Sequence, residues 1–300
     1  MKNVRANAAT VTLPATGHGA LGDYFSLTKP RLNLLVVATS AAGYYLGSPG
    51  NPPLGAMAQA VAGTALVAAG AAVLNQLAER DTDALMRRTR TRALPDGRVR
   101  PVDARVFGVV LSAGGLALLA THNYLATALA LTTLLIYLAI YTPLKRRSPL
   151  STLVGAVPGA LPPVIGWTAA HGSISAGGLA LFAIVFLWQM PHFMAIAWMY
   201  RDDYGKAGFP MLPVIDPSGK RAGRQAVLYA AALLVASIAP GVTGISGPGY
   251  VAAAVVLGIA LLLLAIRFAT TRTDHSARYL FLGSIIYLPV LWIAMIANRL

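Results

Sequence analysis

Long apolar segments follow one another along almost the whole chain and leave little room for anything but membrane-spanning helices. Each is close to the ~20 residues that an α-helix needs to cross the hydrocarbon core of a bilayer. Only 11% of the 300 residues are charged, whereas soluble domains average about 25%. The sequence therefore predicts an all-α integral membrane protein, a bundle of about nine transmembrane helices. The predicted spans are roughly 30–47, 56–78, 104–121, 124–143, 152–170, 177–199, 225–240, 249–267 and 279–297.

The charges alternate from one loop to the next. Every Lys and Arg except Arg299 lies before or at the start of the first span, or around the loops that follow spans two, four, six and eight. This is the positive-inside pattern, which predicts a cytoplasmic N-terminus and an external Leu300. The net charge of +14 is thereby explained by topology, so we expect the lipid bilayer as a partner and no nucleic acid. We expect residues 1–22 to form a disordered cytoplasmic arm and 23–300 a single transmembrane domain.

Three polar side chains lie at four-residue spacing at the end of the second span. Asn75, Glu79 and Asp83 fall on one face of a helix, and an unpaired acid in an apolar span usually marks function. Their oxygens suit a hard cation such as Mg²⁺. Arg88 and Arg92, which follow directly, suit a diphosphate.

The fourth span ends in the sequence Tyr141-Thr-Pro-Leu-Lys145-Arg146-Arg147. Consecutive cations at a cytoplasmic helix end are often only topology determinants, and Arg146 and Arg147 fit that interpretation. Lys145 follows a short Pro-containing turn that fixes its direction. We therefore predict that its compact ammonium binds phosphate oxygens.

The sixth span contains a histidine among aromatic residues and ends in a second acidic pair. His192 follows Pro191, and we predict that it lines a pocket, although a packed core histidine is the alternative. Asp202 and Asp203 are predicted to supply a second edge of the metal site. Because the second and sixth spans both end in acids on one membrane face, we also predict two four-helix repeats plus one helix.

The order of these motifs resembles the protohaem IX farnesyltransferase family of the intramembrane UbiA-type prenyltransferases. The matching stretches are Asn75–Pro95, Tyr141–Arg146, Trp188–Phe193 and Asp203–Pro213. Two departures are Ala93, where the family usually has Pro, and a second acidic motif that lacks a full Asp-x3-Asp. The second departure leaves the ligands of a second metal ion open.

The resemblance implies transfer of a farnesyl group from farnesyl diphosphate to haem B, giving haem O. It implies Mg²⁺ as the cofactor, haem B as a substrate, and a location in the cell's inner membrane with the active site near the cytoplasmic face. Other proteins of haem biosynthesis or oxidase assembly are further expected partners. The expected catalytic residues are Asn75, Glu79, Asp83 and Lys145; the metal ligands Glu79, Asp83, Asp202 and Asp203; and the substrate-binding residues Arg88, Arg92, Tyr141, Arg146, His192 and Tyr204.

Two alternatives stay open at this point. A UbiA-type enzyme that prenylates an aromatic acid or a quinone precursor would share the metal and diphosphate machinery and differ in the acceptor pocket. A secondary transporter would also have repeats and polar groups in its spans. The clustering of ionisable residues at one membrane surface disfavours the transporter.

Overall fold

The computed structural model describes residues 19–300, and within that range the fold is helical apart from one isolated bridge between Ser246 and Arg299. Among these described residues, ten helices have eight or more residues. They are α1 Ala20–Leu27, α2 Pro30–Gly47, α3 Leu54–Ala78, α4 Pro101–Ala120, α5 Tyr124–Leu135, α6 Ser151–His171, α7 Ala176–Met199, α8 Lys220–Ala236, α9 Pro248–Thr271 and α10 Asp274–Ala297. Shorter helices are Arg80–Asp83, Thr142–Leu144, Arg201–Lys206, Leu212–Ile215 and Ala239–Val242.

Eight helices in the described range are long and apolar enough to cross a membrane. The first predicted span forms the 18-residue helix α2, which is less apolar because it carries Arg31, Asn33 and Ser40. Helix α2 nevertheless packs closely against α6, since a Cβ at Gly43 would overlap the Pro163 backbone. The prediction of an all-α membrane bundle is confirmed, with eight clear spans and α2 packed among them.

Helix α1 covers the end of the segment predicted to be a disordered arm. Helix α1 begins at Ala20, so the end of the predicted disordered segment 1–22 is helical, contrary to the prediction. Leu27 of α1 is buried against Val73 of α3 and Leu94, which explains why this segment is ordered. Residues 1–18 lie outside the described part of the chain.

Two buried apolar clusters hold the bundle together. The larger joins α7 to α8, α9 and α10, and the smaller joins α2, α3, α5 and α6. Small residues let backbones approach closely, as at Gly70 of α3, where a Cβ would overlap the Ser112 hydroxyl of α4. The prolines of the fifth predicted span, including Pro162 and Pro163, lie within continuous α6.

A third small cluster brings the two acidic segments together at one end of the bundle. Met86, which follows α3, packs with Ala197 of α7 and with Phe209 and Met211 in the segment after α7. The clustering predicted for the ends of the second and sixth spans is therefore present. The internal four-helix repeat stays a prediction.

Candidate active site

Glu79 and Lys145 form an ion pair between the ends of α3 and α5. The Lys145 Nζ lies 3.1 Å from both Glu79 carboxylate oxygens, and both side chains are largely buried. Burial disfavours the ammonium, but the Tyr141 hydroxyl and the Glu79 charge outweigh it, so the pKa of Lys145 is raised. Lys145 therefore carries its positive charge at physiological pH.

Asn75, one turn before Glu79, is the centre of a hydrogen-bond network. Its Oδ1 accepts from Lys29 Nζ at 3.3 Å and from the Tyr137 hydroxyl at 3.4 Å. Its Nδ2 donates to Thr142 Oγ1 at 3.0 Å. Asn75 thus ties α3 to the start of α2 and the end of α5.

Asp83, one turn after Glu79, is almost fully buried and paired with an arginine. Arg92 Nη1 donates to Asp83 Oδ2 at 2.8 Å. Thr89 Oγ1 donates to the Asp83 carbonyl at 2.7 Å and so closes the intervening loop. The predicted polar face is therefore present, and a cation lies beside each of Asn75, Glu79 and Asp83.

A π-helical turn shapes the end of α5. Residues Ile136–Tyr141 adopt this wider turn, which is frequent at functional sites. It stacks the rings of Tyr137 and Tyr141 at 5.3 Å, and Lys145 Nζ lies 5.7 Å from the Tyr141 ring and 5.0 Å from the Phe209 ring. Tyr141 therefore flanks Lys145, and its role in substrate binding stays a prediction.

Three other residues predicted to bind substrate lie at this end of the bundle: Arg88 and Arg146 are exposed and Tyr204 is half-buried. The Arg88 guanidinium lies 5.1 Å from the Tyr200 ring, so it bridges the two acidic segments. Tyr204 packs edge-on against Phe209, with ring centroids 6.2 Å apart. Arg146 is exposed and the structure gives it no contact with these groups, so its role in substrate binding stays a prediction.

The four carboxylates predicted as metal ligands, at positions 79, 83, 202 and 203, do not converge in this structure. Within residues 19–300, no group of three or more His, Asp or Glu lies close enough together to hold a metal ion. Asp202 is exposed and Asp203 half-buried on the short helix Arg201–Lys206. Like charges repel, and the two buried acids of the first segment are each neutralised by a cation. The donors are all oxygen, which fits Mg²⁺, and the metal assignment stays a prediction.

Lys29 belongs to the site, although the sequence analysis did not single it out. It adopts a left-handed backbone conformation, with φ +50°, just before α2. Burial, together with the nearby Arg92 and Lys145, lowers its pKa to about 8. A cation directly before the first span was the available signal, but basic residues are common there for reasons of topology alone.

His192 lies on α7, about three turns before Asp202, and contacts α10. Its ring stacks on Trp188 at 5.1 Å and on Phe281 at 5.0 Å, and its Nδ1 lies 2.8 Å from Ser284 Oγ. The predicted aromatic surroundings are therefore present. The ring is only partly buried.

The fold and the site are those of an intramembrane enzyme, with a cluster of oxygen-bearing side chains and cations at one end of a helical bundle. A model of the UbiA prenyltransferase family matches residues 36–292, and the chain belongs to this family. It is 44% identical to the protoheme IX farnesyltransferase of Solibacter usitatus (92% of this chain, 98% of that protein). It is 46% identical to the protoheme IX farnesyltransferase of Opitutus terrae (96% and 98%).

Solved structures agree with the fold. The chain superimposes on a digeranylgeranylglyceryl phosphate synthase with a TM-score of 0.79 at 18% identity, over 93% of this chain and 98% of that one. It superimposes on a UbiA homologue from Archaeoglobus fulgidus, solved with GPP and Mg²⁺, with a TM-score of 0.66 at 18% identity, over 92% and 99%. At these identities the structures support the architecture alone.

Proposed function

We propose that the protein transfers the farnesyl group of farnesyl diphosphate to a vinyl group of haem B, with addition of water, to make haem O. The observation that carries the proposal is the set of three cations, Lys29, Lys145 and Arg92, that contact Asn75, Glu79 and Asp83 respectively. Several converging cations suit a diphosphate, whose oxygens accept strong charge-assisted hydrogen bonds. The acceptor, haem B, is proposed because the two bacterial relatives above are named protoheme IX farnesyltransferase.

The reaction begins with departure of the diphosphate. The bond between C1 of the farnesyl group and the diphosphate oxygen breaks, and the oxygen keeps the electron pair. Lys145, Lys29 and Arg92 stabilise the charge that develops on the leaving group. Mg²⁺, held by Glu79 and Asp83 with Asp202 or Asp203, would neutralise further charge on the same oxygens. The A. fulgidus homologue, solved with GPP and Mg²⁺, supports this cofactor.

The allylic cation then reacts with the vinyl group. The vinyl π electrons form the new C–C bond, water adds to the resulting carbocation, and one proton leaves to give the hydroxyl. Tyr137 and Tyr141 lie beside the cationic groups, where their faces can stabilise the allylic cation. His192, Trp188 and Phe281 form the aromatic surface that receives the porphyrin.

The charge pattern supports an inner-membrane location with the N-terminus in the cytoplasm, the C-terminus outside and the site near the cytoplasmic face. Membrane proteins of haem biosynthesis or oxidase assembly are the proposed protein partners. Membership of a prenyltransferase family argues against the transporter. The aromatic or quinone acceptor is the remaining competitor.

The test is reconstitution. Purified protein in lipid nanodiscs is incubated with haem B, farnesyl diphosphate and Mg²⁺, and the pigments are identified by mass. Formation of haem O is expected, and EDTA should abolish it. A farnesylated aromatic acid in parallel reactions, with haem B left unmodified, would contradict the proposal.

A further inference from the structure

An ion pair joins α1 to the loop that follows α3. Arg98 Nε lies 3.0 Å from Asp23 Oδ1 and 3.2 Å from Asp23 Oδ2. Asp23 is only 4% exposed. Because removal of one partner would leave an uncompensated charge in a buried place, this contact fixes α1 against the loop.

Arg98 also fastens the loop to itself. Its Nη2 donates to the Thr91 carbonyl at 3.1 Å, and its Nη1 pairs with Asp96. The Val99 amide donates to the Ala93 carbonyl at 3.2 Å. The segment from Thr91 to Val99 is therefore closed by its own hydrogen bonds, and Arg98 connects it to α1 as a unit.

The ion pair lies equally far along the chain from two cations of the candidate active site. Lys29 follows Asp23 by six residues, and Arg92 precedes Arg98 by six residues. Both cations line one cavity of about 550 Å³. Three residues of α1 line the same cavity: Gly22, Phe25 and Ser26. The placement of α1 against the loop therefore affects the separation of the two cations.

Lys29 depends on this placement more than Arg92 does. Arg92 donates to Asp83 at 2.8 Å, whereas Lys29 Nζ lies 3.3 Å from Asn75 Oδ1, which is long for such a hydrogen bond. The backbone of Lys29 also has a φ of +50°, which a residue with a side chain rarely adopts. A conformation of this kind persists only where the surrounding structure imposes it. On the N-terminal side of Lys29, that structure is α1.

A buried ion pair contributes little net stability, because desolvation offsets the Coulomb attraction. It does fix geometry. We propose that Asp23 and Arg98 are positioning residues, whose ion pair sets the place of Lys29 relative to Arg92 and thereby the affinity of the site for a diphosphate. The inference rests on the proposed function for the identity of the ligand.

The test measures the binding of farnesyl diphosphate and turnover separately in nanodiscs. Asp23→Asn and Arg98→Gln should each raise the Kd and the KM for farnesyl diphosphate ~10-fold, since displaced positioning contacts have effects of this order or larger. The kcat at saturating substrate and the KM for haem B should change little. A pair that served only the fold would instead lower the fraction of active protein, and thus the apparent kcat, at unchanged KM.

Two further variants test the coupling. The double variant Asp23→Asn/Arg98→Gln should bind farnesyl diphosphate no more weakly than either single variant, because all three break the same contact. Arg98→Lys keeps the charge and should restore most of the affinity. Arg98 is partly exposed, so its variants carry the test if Asp23→Asn does not fold.

The matched control is Asp96→Asn. It removes the other carboxylate partner of Arg98, at an exposed position, and keeps the bond to Asp23, so the Kd should equal that of the wild type. Unchanged Kd and KM in both single variants, or a lower kcat at unchanged KM, would overturn the positioning role. Additive losses in the double variant would overturn it as well. A raised Kd in the variants of a protein that makes no haem O would instead overturn the proposed reaction and keep the positioning role.

Discussion

Lys145 Nζ is equidistant, at 3.1 Å, from the two carboxylate oxygens of Glu79, a residue 66 positions earlier in the chain. A buried pair of this kind contributes little net stability, because desolvation offsets the Coulomb attraction. It does keep both charges ready for other partners. In the proposed reaction the carboxylate turns to the metal and the ammonium to the leaving diphosphate.

The carboxylates Glu79 and Asp83 should be essential for turnover. Glu79→Gln or Asp83→Asn removes a charge needed for Mg²⁺, and farnesyl transfer should fall by on the order of 10²-fold or more. The measurement is initial rate against Mg²⁺ concentration. Asp81→Asn is the control, because Asp81 is exposed and pairs with its neighbour Arg80. Near wild-type rates at saturating Mg²⁺ would remove that residue from the ligand set.

Loss of Lys145 should slow the chemical step rather than weaken binding alone. Lys145→Met removes a cation that strengthens its contact as the leaving group becomes charged, so kcat should fall ~10²-fold. Single-turnover kinetics separate this step from product release. Arg147→Ala, at an exposed position two residues later, should change kcat little. Similar small effects of both substitutions would indicate that Lys145 is only a determinant of membrane topology.

Affinity for farnesyl diphosphate should depend on pH through Lys29. Its pKa, lowered to about 8 by burial and by Arg92 and Lys145 against the opposing Glu79 and Asp83, lies below the ordinary 10.5. The ammonium is present below pH 8, so affinity should fall as pH rises through about 8. Calorimetric titration from pH 6.5 to 9.5 measures this, and Lys29→Arg should remove the decline because arginine stays charged. An unchanged pH profile in the arginine variant would assign the titration to another group.

The lowered pKa of Lys29 should also make the free energy of unfolding depend on pH. Between about pH 8 and 10.5 the unfolded chain keeps a proton on Lys29 that the native state has lost. The Lys29 contribution to the free energy of unfolding therefore rises with pH in that window. Denaturant titration of the wild type and of Lys29→Met at pH 7.5 and 10 measures this contribution. Relative to wild type, the free energy of unfolding of the methionine variant should be higher at pH 7.5 than at pH 10.

Helices α2 and α6 approach so closely at Gly166 that no side chain should fit there. A Cβ there would fall on the Ser40 carbonyl of α2, so Gly166→Ala should lower the free energy of unfolding by about 2 kcal/mol or more. The control is Gly114→Ala in α4, where a Cβ meets no atom within 4 Å. Thermal melting in detergent gives the comparison, and equal melting temperatures would contradict the packing.

Particular residues show which features of the site could be predicted from the sequence and which could not. Four-residue spacing put Asn75, Glu79 and Asp83 on one helix face, and that face is present. Nothing in the spacing indicated that Lys29 would reach Asn75 from a different helix, because that contact depends on where α2 packs.

By itself the sequence determined the spans, their charge asymmetry and the oxygen-rich face at the end of α3, because periodicity and hydropathy are local properties of the chain. Only the tertiary structure decided which cation meets which acid and that, among the described residues, the four predicted carboxylates do not form one metal-binding group. Those features depend on distances of a few ångströms between helices far apart in the chain, and such distances follow from the packing of the whole bundle.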